Sequence, residues 1–187
     1  SFDCSVMELA DDIAYGIHDL EDAIVLQKVH IAQFMDEVVT PIQRNNTRLS
    51  ERINTLAKEL FSEESYRRKN AIGAIVNNFI TAIEITRQER FKTPLLDFQA
   101  VLPDADKQDL LGFKGFVWKH VIQTTDVQIA EYRGQQIVIE LFQAFQSDPE
   151  RLLPTNTYRR WLKNREIGLE KRAIVDYLAG MTDEYAF

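Results

Sequence analysis

Between Ser1 and Gln27 the chain carries seven acidic residues and no lysine or arginine. Placed on a helical wheel at about 100° per residue, Asp11, Tyr15, His18, Asp19 and Asp22 fall within about a third of the circumference. Carboxylates stacked on one helix face repel by about a few tenths of a kcal/mol per pair, and no basic partner stands at i+3 or i+4 to relieve them. A solvated polar face and a cation site both fit this pattern. A bound cation, or a basic surface from elsewhere in the protein, would offset the repulsion. The same charge argues against binding a nucleic-acid phosphate backbone at this end.

Other residues with chemical potential are more isolated. His18 and Asp19 form a His-Asp pair in sequence, but adjacent side chains on a helix diverge by about 100°. His30 and His120 have no paired ligand spacing, so each is read as a surface or satisfied core histidine. Cys4 lacks a histidine-asparagine or histidine-aspartate arrangement that would activate a thiol, and no glycine-rich phosphate loop occurs.

The elements that must carry these residues are helices. Seven glycines and five prolines punctuate 187 residues, and apolar side chains recur at three- and four-residue spacing with little strict alternation. The periodicity predicts a first helix over about Ser5 to Val39, with Val6, Leu9, Ile13, Ile17, Leu20 and Ile24 as its buried stripe. Ser5 and Glu8 read as its capping box, and Pro41 as a stop or bend. A second helix is expected from near Ser50 through Leu60 and Phe61, and a third from about Glu64 to Arg87. Pro94 and Pro103 bracket an irregular stretch. Asp104 caps a fourth helix running to Ile122, weakened in its middle by Gly112 and Gly115. A fifth spans about Asp126 to Phe145, a helical Thr157 to Lys163 follows, and a last helix covers about Glu166 to Tyr185. The fold class is all-α.

Composition narrows the setting. With 45% apolar and 27% charged residues the chain is of ordinary globular make-up, long enough to bury a core without disulfides or structural metal. No apolar run is long enough for a membrane span. The whole net charge of −7 belongs to the N-terminal segment, because the remaining 160 residues hold 22 acids against 22 bases. A lone cysteine and no secretory leader make the cytoplasm the expected compartment. The start at Ser1-Phe2-Asp3-Cys4, without methionine, reads as a stretch taken from within a longer protein.

The run Glu8-Leu-Ala-Asp-Asp-Ile-Ala-Tyr-Gly-Ile-His-Asp-Leu-Glu-Asp22 closely resembles a segment of HD-superfamily deoxynucleoside triphosphate triphosphohydrolases of the bacterial dGTPase-like group. A second run, Arg172-Ala-Ile-Val-Asp-Tyr-Leu-Ala-Gly-Met-Thr-Asp-Glu-Tyr-Ala186, is similar to the last core helix of the same family. On residues alone that second run reads as core packing, with Arg172 bonded to Asp176 at i+4. The two matches stand in the family's order near the two ends of the chain.

The resemblance implies the C-terminal part of a multi-helix bundle of the HD-domain type. About 1–40 would close the HD core with its last metal-ligand motif, and about 41–187 would form a family-specific helical region. It implies that Asp11 is a ligand of a divalent metal, Mg²⁺, Mn²⁺ or another transition ion, and lies at a partly buried cleft wall. It further implies that Tyr15 packs against the deoxyribose and that Asp19 accepts a hydrogen bond from the 3′-hydroxyl. These roles would follow one another by helical turns, about 6 Å apart. Arg67 and Arg68 are candidates for the triphosphate.

The family's site also takes two histidines and an aspartate upstream, and the ten residues before Asp11 contain no histidine. No catalytic acid or base is therefore expected in this chain, which alone would be inactive and would need the N-terminal part of the same protein as partner. The implied reaction is hydrolysis of a deoxynucleoside triphosphate to deoxynucleoside and inorganic triphosphate, in a homo-oligomer. The alternative is a non-catalytic helical interaction or oligomerisation module.

Overall fold

The computed structural model describes residues 1–186 and is built almost wholly of helices, as expected. It divides into two compact units, 1–124 and 125–187. In the first unit α1 spans Phe2–Val25, α2 Ile31–Phe34 and α3 Thr40–Ile42, with a π-helical turn at Met35–Val39 between the last two. Then come α4 (Arg48–Leu60), α5 (Ser65–Ala82), β1 (Glu84–Arg87), α6 (Pro94–Asp97), β2 (Phe98–Val101) and α7 (Asp104–Val117), which runs into a second π-helical turn at Trp118–Ile122. The second unit holds α8 (Thr125–Ser147), α9 (Pro149–Leu152), α10 (Thr155–Arg165), α11 (Glu170–Ala179) and α12 (Asp183–Ala186). No described helix is long and apolar enough to cross a membrane.

The core of the first unit gathers around Phe34, whose ring meets Phe61 at 5.4 Å, Phe113 at 5.9 Å and Phe116 at 5.4 Å between centroids. Of the expected α1 stripe Ile13, Ile17 and Leu20 are buried, with Ala23 beside them, Leu9 and Ile24 are half-buried, and Val6, near the helix start, is exposed; Ile53, Ala57 and Leu60 of α4 and Ile75 and Phe79 of α5 are buried too. Each of the larger of these side chains contributes about 1.5–3 kcal/mol by leaving water, which is what holds α1 in place. The second unit buries Leu153, Thr157, Ala173 and Ile174, while α8 buries none of its residues.

Several elements differ from expectation. The first helix does not reach Val39: it ends at Val25, Gln27 adopts a left-handed φ of 55°, and the chain turns back so that Val29 and Phe34 enter the core. Ser5 is not a cap. Ser1 caps α1 by accepting from the Cys4 N–H at 3.4 Å, whereas the Ser5 hydroxyl donates to the Phe2 carbonyl and accepts from the Ala100 N–H at 2.9 Å, fastening α1 to β2. Thr47, not Ser50, caps α4.

The third helix stops at Ala82, Ile83 turns to extended backbone, and Glu84-Ile85-Thr86-Arg87 pairs as β1 antiparallel with β2, Glu84 opposite Val101 and Arg87 opposite Phe98. Gly112 and Gly115 do not break α7. The last expected helix is divided: Gly168, at φ 71°, precedes α11, and Gly180 ends it. Asp109 of α7, fully buried, accepts from Asn45 Nδ2 and Thr47 Oγ1, both at 2.6 Å, and so ties the start of α4 to α7.

Candidate functional site

The polar face of α1 is presented by a helix whose opposite side is locked into the core, so Asp11, Tyr15 and Asp19 appear on successive turns of a fixed rod. Asp11 is exposed and has no hydrogen-bond or ion-pair partner among the described residues. The expectation of a partly buried wall is not met at Asp11. It falls on the solvent side of α1, opposite the buried Ile13, Ile17 and Leu20. Tyr15 and Asp19, nearer the packed side, are half-buried.

Burial is the main cause that raises the Tyr15 phenol above its ordinary pKa; the neighbouring Asp19 carboxylate adds to it and the Lys114 ammonium opposes it. Burial likewise raises the Asp19 carboxyl, with Asp22 adding like charge and His18 opposing.

Lys114, on α7, was not singled out in the sequence. Its ammonium pairs with Asp12 and stands 5.7 Å from the centre of the Tyr15 ring. The approach is possible because residue 16 is glycine: a Cβ there would lie 3.2 Å from Lys114 Cγ and 3.5 Å from Leu110 Cδ1. A glycine in the middle of a strongly patterned helix was the signal available, since it costs about 1 kcal/mol against alanine unless a close contact requires it. Beside this contact lies a cleft of about 360 Å³, lined by Cys4, Glu8, Asp12, Lys107 and Lys114 among others.

The two arginines proposed from sequence already have partners. Arg67 is exposed, pairs with Glu64, lies 3.6 Å from Glu59 and contacts the Tyr66 hydroxyl at 3.2 Å. Arg68 is half-buried and donates to the Ser62 carbonyl at 3.2 Å, and its buried Nε, which makes no hydrogen bond, lies 3.9 Å from the Glu21 carboxylate of α1. Arg68 thus reaches α1, while Arg67 is held at the start of α5. His120 is a satisfied histidine, 2.9 Å from Glu37 and packed on Phe116 at 4.6 Å between centroids. Among the described residues no group of three or more His, Cys, Asp or Glu side chains could hold a metal ion. In the second unit Arg172 binds Asp176 at 2.6 Å, as its spacing predicts.

A family model described as a phosphohydrolase-associated domain matches residues 100–187. Over its whole length the chain is 50% identical to a deoxyguanosinetriphosphate triphosphohydrolase-like protein of Shewanella pealeana, covering 42% of that protein. It is 49% identical to a protein of the same description from Pasteurella multocida and 50% identical to one from Histophilus somni, again over the whole chain and 41% of each relative. The chain therefore spans about two fifths of the length of the curated relatives it matches.

Proposed function

We propose, from the premise that this chain belongs to the deoxyguanosinetriphosphate triphosphohydrolase-like proteins, that it supplies the sugar-binding helix and one metal ligand of a cytoplasmic deoxynucleoside triphosphate triphosphohydrolase. The observation that carries this reading is the α1 face. An unpaired accessible carboxylate, a half-buried aromatic ring and a half-buried carboxylate follow one another at one-turn intervals on a helix that the core holds rigid.

Asp11 suits a divalent cation as a single ligand, because among the described residues none competes for its oxygens and no cluster of metal-ligating side chains surrounds it, so the other ligands would come from outside this chain. Such an ion polarises a phosphoryl oxygen and lowers the pKa of water. The ring of Tyr15 lies against the deoxyribose and leaves no room for a 2′-hydroxyl, which disfavours ribonucleotides. Asp19 accepts from the 3′-hydroxyl. Water adds to the α-phosphorus and the bond to the 5′-oxygen breaks, giving deoxynucleoside and inorganic triphosphate; no residue of this chain is assigned as the acid or base. Arg68, and more remotely Arg67, would meet the triphosphate only by exchanging their present partners.

The test is Asp11→Ala in the full-length protein, with folding checked by circular dichroism and metal content measured on the same preparation. Loss of metal and of triphosphate release from dGTP is the expected result. A folded, metal-depleted variant with normal kinetics contradicts the assignment.

The same reading makes the protein a homo-oligomer. An apolar groove of about 580 Å³ in the second unit, lined by Val138, Ile139, Phe142, Val175 and Leu178, supports it, and equally supports a non-catalytic interaction module. Sedimentation of the full-length protein tests the first, and a wild type without dGTP hydrolysis would favour the second.

A further inference from the structure

Three features of α1 have a single explanation in one residue of α7. Gly16 has no side chain where Lys114 Cγ passes, Asp12 one turn earlier holds the Lys114 ammonium, and Tyr15 offers its ring to the same ammonium at 5.7 Å. Lys114 is three-quarters buried, so its stem is packed and its head has one carboxylate and one aromatic face to choose from. A cation over the face of a ring is attracted by the ring's quadrupole, and here the ammonium over Tyr15 is held by an anchoring carboxylate. Tyrosine has two side-chain torsions to fix, and core packing on one side of the ring leaves the other free to swing unless something holds it.

We infer that Lys114 is a positioning residue: anchored by Asp12 and admitted by Gly16, it holds the Tyr15 ring in the orientation that faces the sugar, and so sets the preference for deoxynucleotides without touching the nucleotide. The inference rests on the sugar-contact role proposed for Tyr15. Lys114 acts on the ring as a brace, so removing its charge loosens ground-state placement of the sugar more than it slows the chemical step. The Asp12–Lys114 pair is partly exposed and by itself adds little stability. Its consequence is where it puts the ammonium.

The experiment compares wild type, Lys114→Met, Lys114→Arg and Asp12→Asn in the full-length protein, each also in a Tyr15→Ala background. Initial rates with dGTP and GTP give kcat and KM. Lys114→Met keeps the stem and loses the charge; KM for dGTP should rise, and the dGTP-over-GTP ratio of kcat/KM should fall, by about two- to fivefold, the factor that a partly exposed cation–ring contact corresponds to. The change in kcat should be smaller, Lys114→Arg should restore most of the ratio, and in the Tyr15→Ala background Lys114→Met should have no further effect.

A second readout does not depend on turnover. With ring-labelled tyrosine, and the Tyr15 signal identified by its loss in Tyr15→Phe, Lys114→Met should shift that signal and raise the pH at which the phenol titrates. An unmoved Tyr15 signal, or an undiminished effect of Lys114→Met on the ratio in Tyr15→Ala, overturns the inference. Should Lys114→Met fail to fold, Asp12→Asn, which frees the ammonium, carries the same expectation. A moved signal with an unchanged dGTP-over-GTP ratio rejects the specificity role and keeps the contact; active Asp11→Ala rejects the underlying site.

Discussion

Asp109→Ala removes a carboxylate that is fully buried and accepts two hydrogen bonds at 2.6 Å, from Asn45 Nδ2 and Thr47 Oγ1. The two donors do not lose equally. Asn45 is half-buried and regains water, so its share is about 1 kcal/mol; Thr47 is buried, and its hydroxyl is left without an acceptor at about 2 kcal/mol. Thr47 is also the N-cap of α4, accepting from the Ser50 N–H at 3.2 Å, so the change reaches the element that carries Ile53 and Leu60 into the core.

The sum, about 3 kcal/mol, corresponds to a urea midpoint lower by about 1.5 M for a chain whose m-value is about 2 kcal/mol/M. Burial raises the Asp109 carboxyl above its ordinary pKa, with Thr47 and Asn45 opposing. The folded state therefore binds the proton more tightly than the unfolded one, and the stability this adds is fully present below the ordinary carboxylate pKa and declines as pH rises through the folded value. Asp109→Asn should flatten that decline. Urea unfolding followed by circular dichroism between pH 3 and 8 measures both effects. A loss in Asp109→Ala below about 0.5 kcal/mol, the scatter of ordinary surface changes, would refute the reasoning.

Other outcomes follow from the same geometry. Asp19 has a raised carboxyl pKa, so KM for dGTP should increase on the acid side at a pH above the ordinary carboxylate value, and Asp19→Asn should remove that limb; a limb that persists in Asp19→Asn belongs to another group. Asp19→Ala should weaken transition-state binding by about 1.5–3 kcal/mol if the bond to the 3′-hydroxyl is charge-assisted, read as a fall in kcat/KM for dGTP. Phe113→Ala, between Phe34 and Phe79 at 5.9 and 6.0 Å, should destabilise by about 3–5 kcal/mol in urea unfolding. The 187-residue chain by itself should release no inorganic triphosphate from dGTP, and release by a preparation free of contaminating enzyme would place the missing groups within it.

What could be learned from the sequence depended on range. The α1 stripe and its polar face are local patterns, and Ile13, Ile17 and Leu20 are buried where the wheel puts them. The end of α1 was not legible because Gln27 is an ordinary residue in a left-handed conformation. No glycine marks the turn, and the apolar spacing runs on through Val29 and Phe34, which bury themselves from a different helix. The strand at Glu84–Arg87 was hidden inside a helical period, although the β-branched Ile85 and Thr86 were present, because pairing with β2 fourteen residues away decides it.

The site divides in the same way. The candidates Asp11, Tyr15 and Asp19 lie on one helix, so spacing alone groups them, whereas Lys114 meets Asp12 across 102 residues and is unremarkable in its own surroundings. Gly16 is the local trace of that distant contact. Because a substitution there would press on Lys114 Cγ and not on backbone, Gly16→Ala should shift the lysine and leave α1 helical, and the Tyr15 environment is where the displacement would be felt.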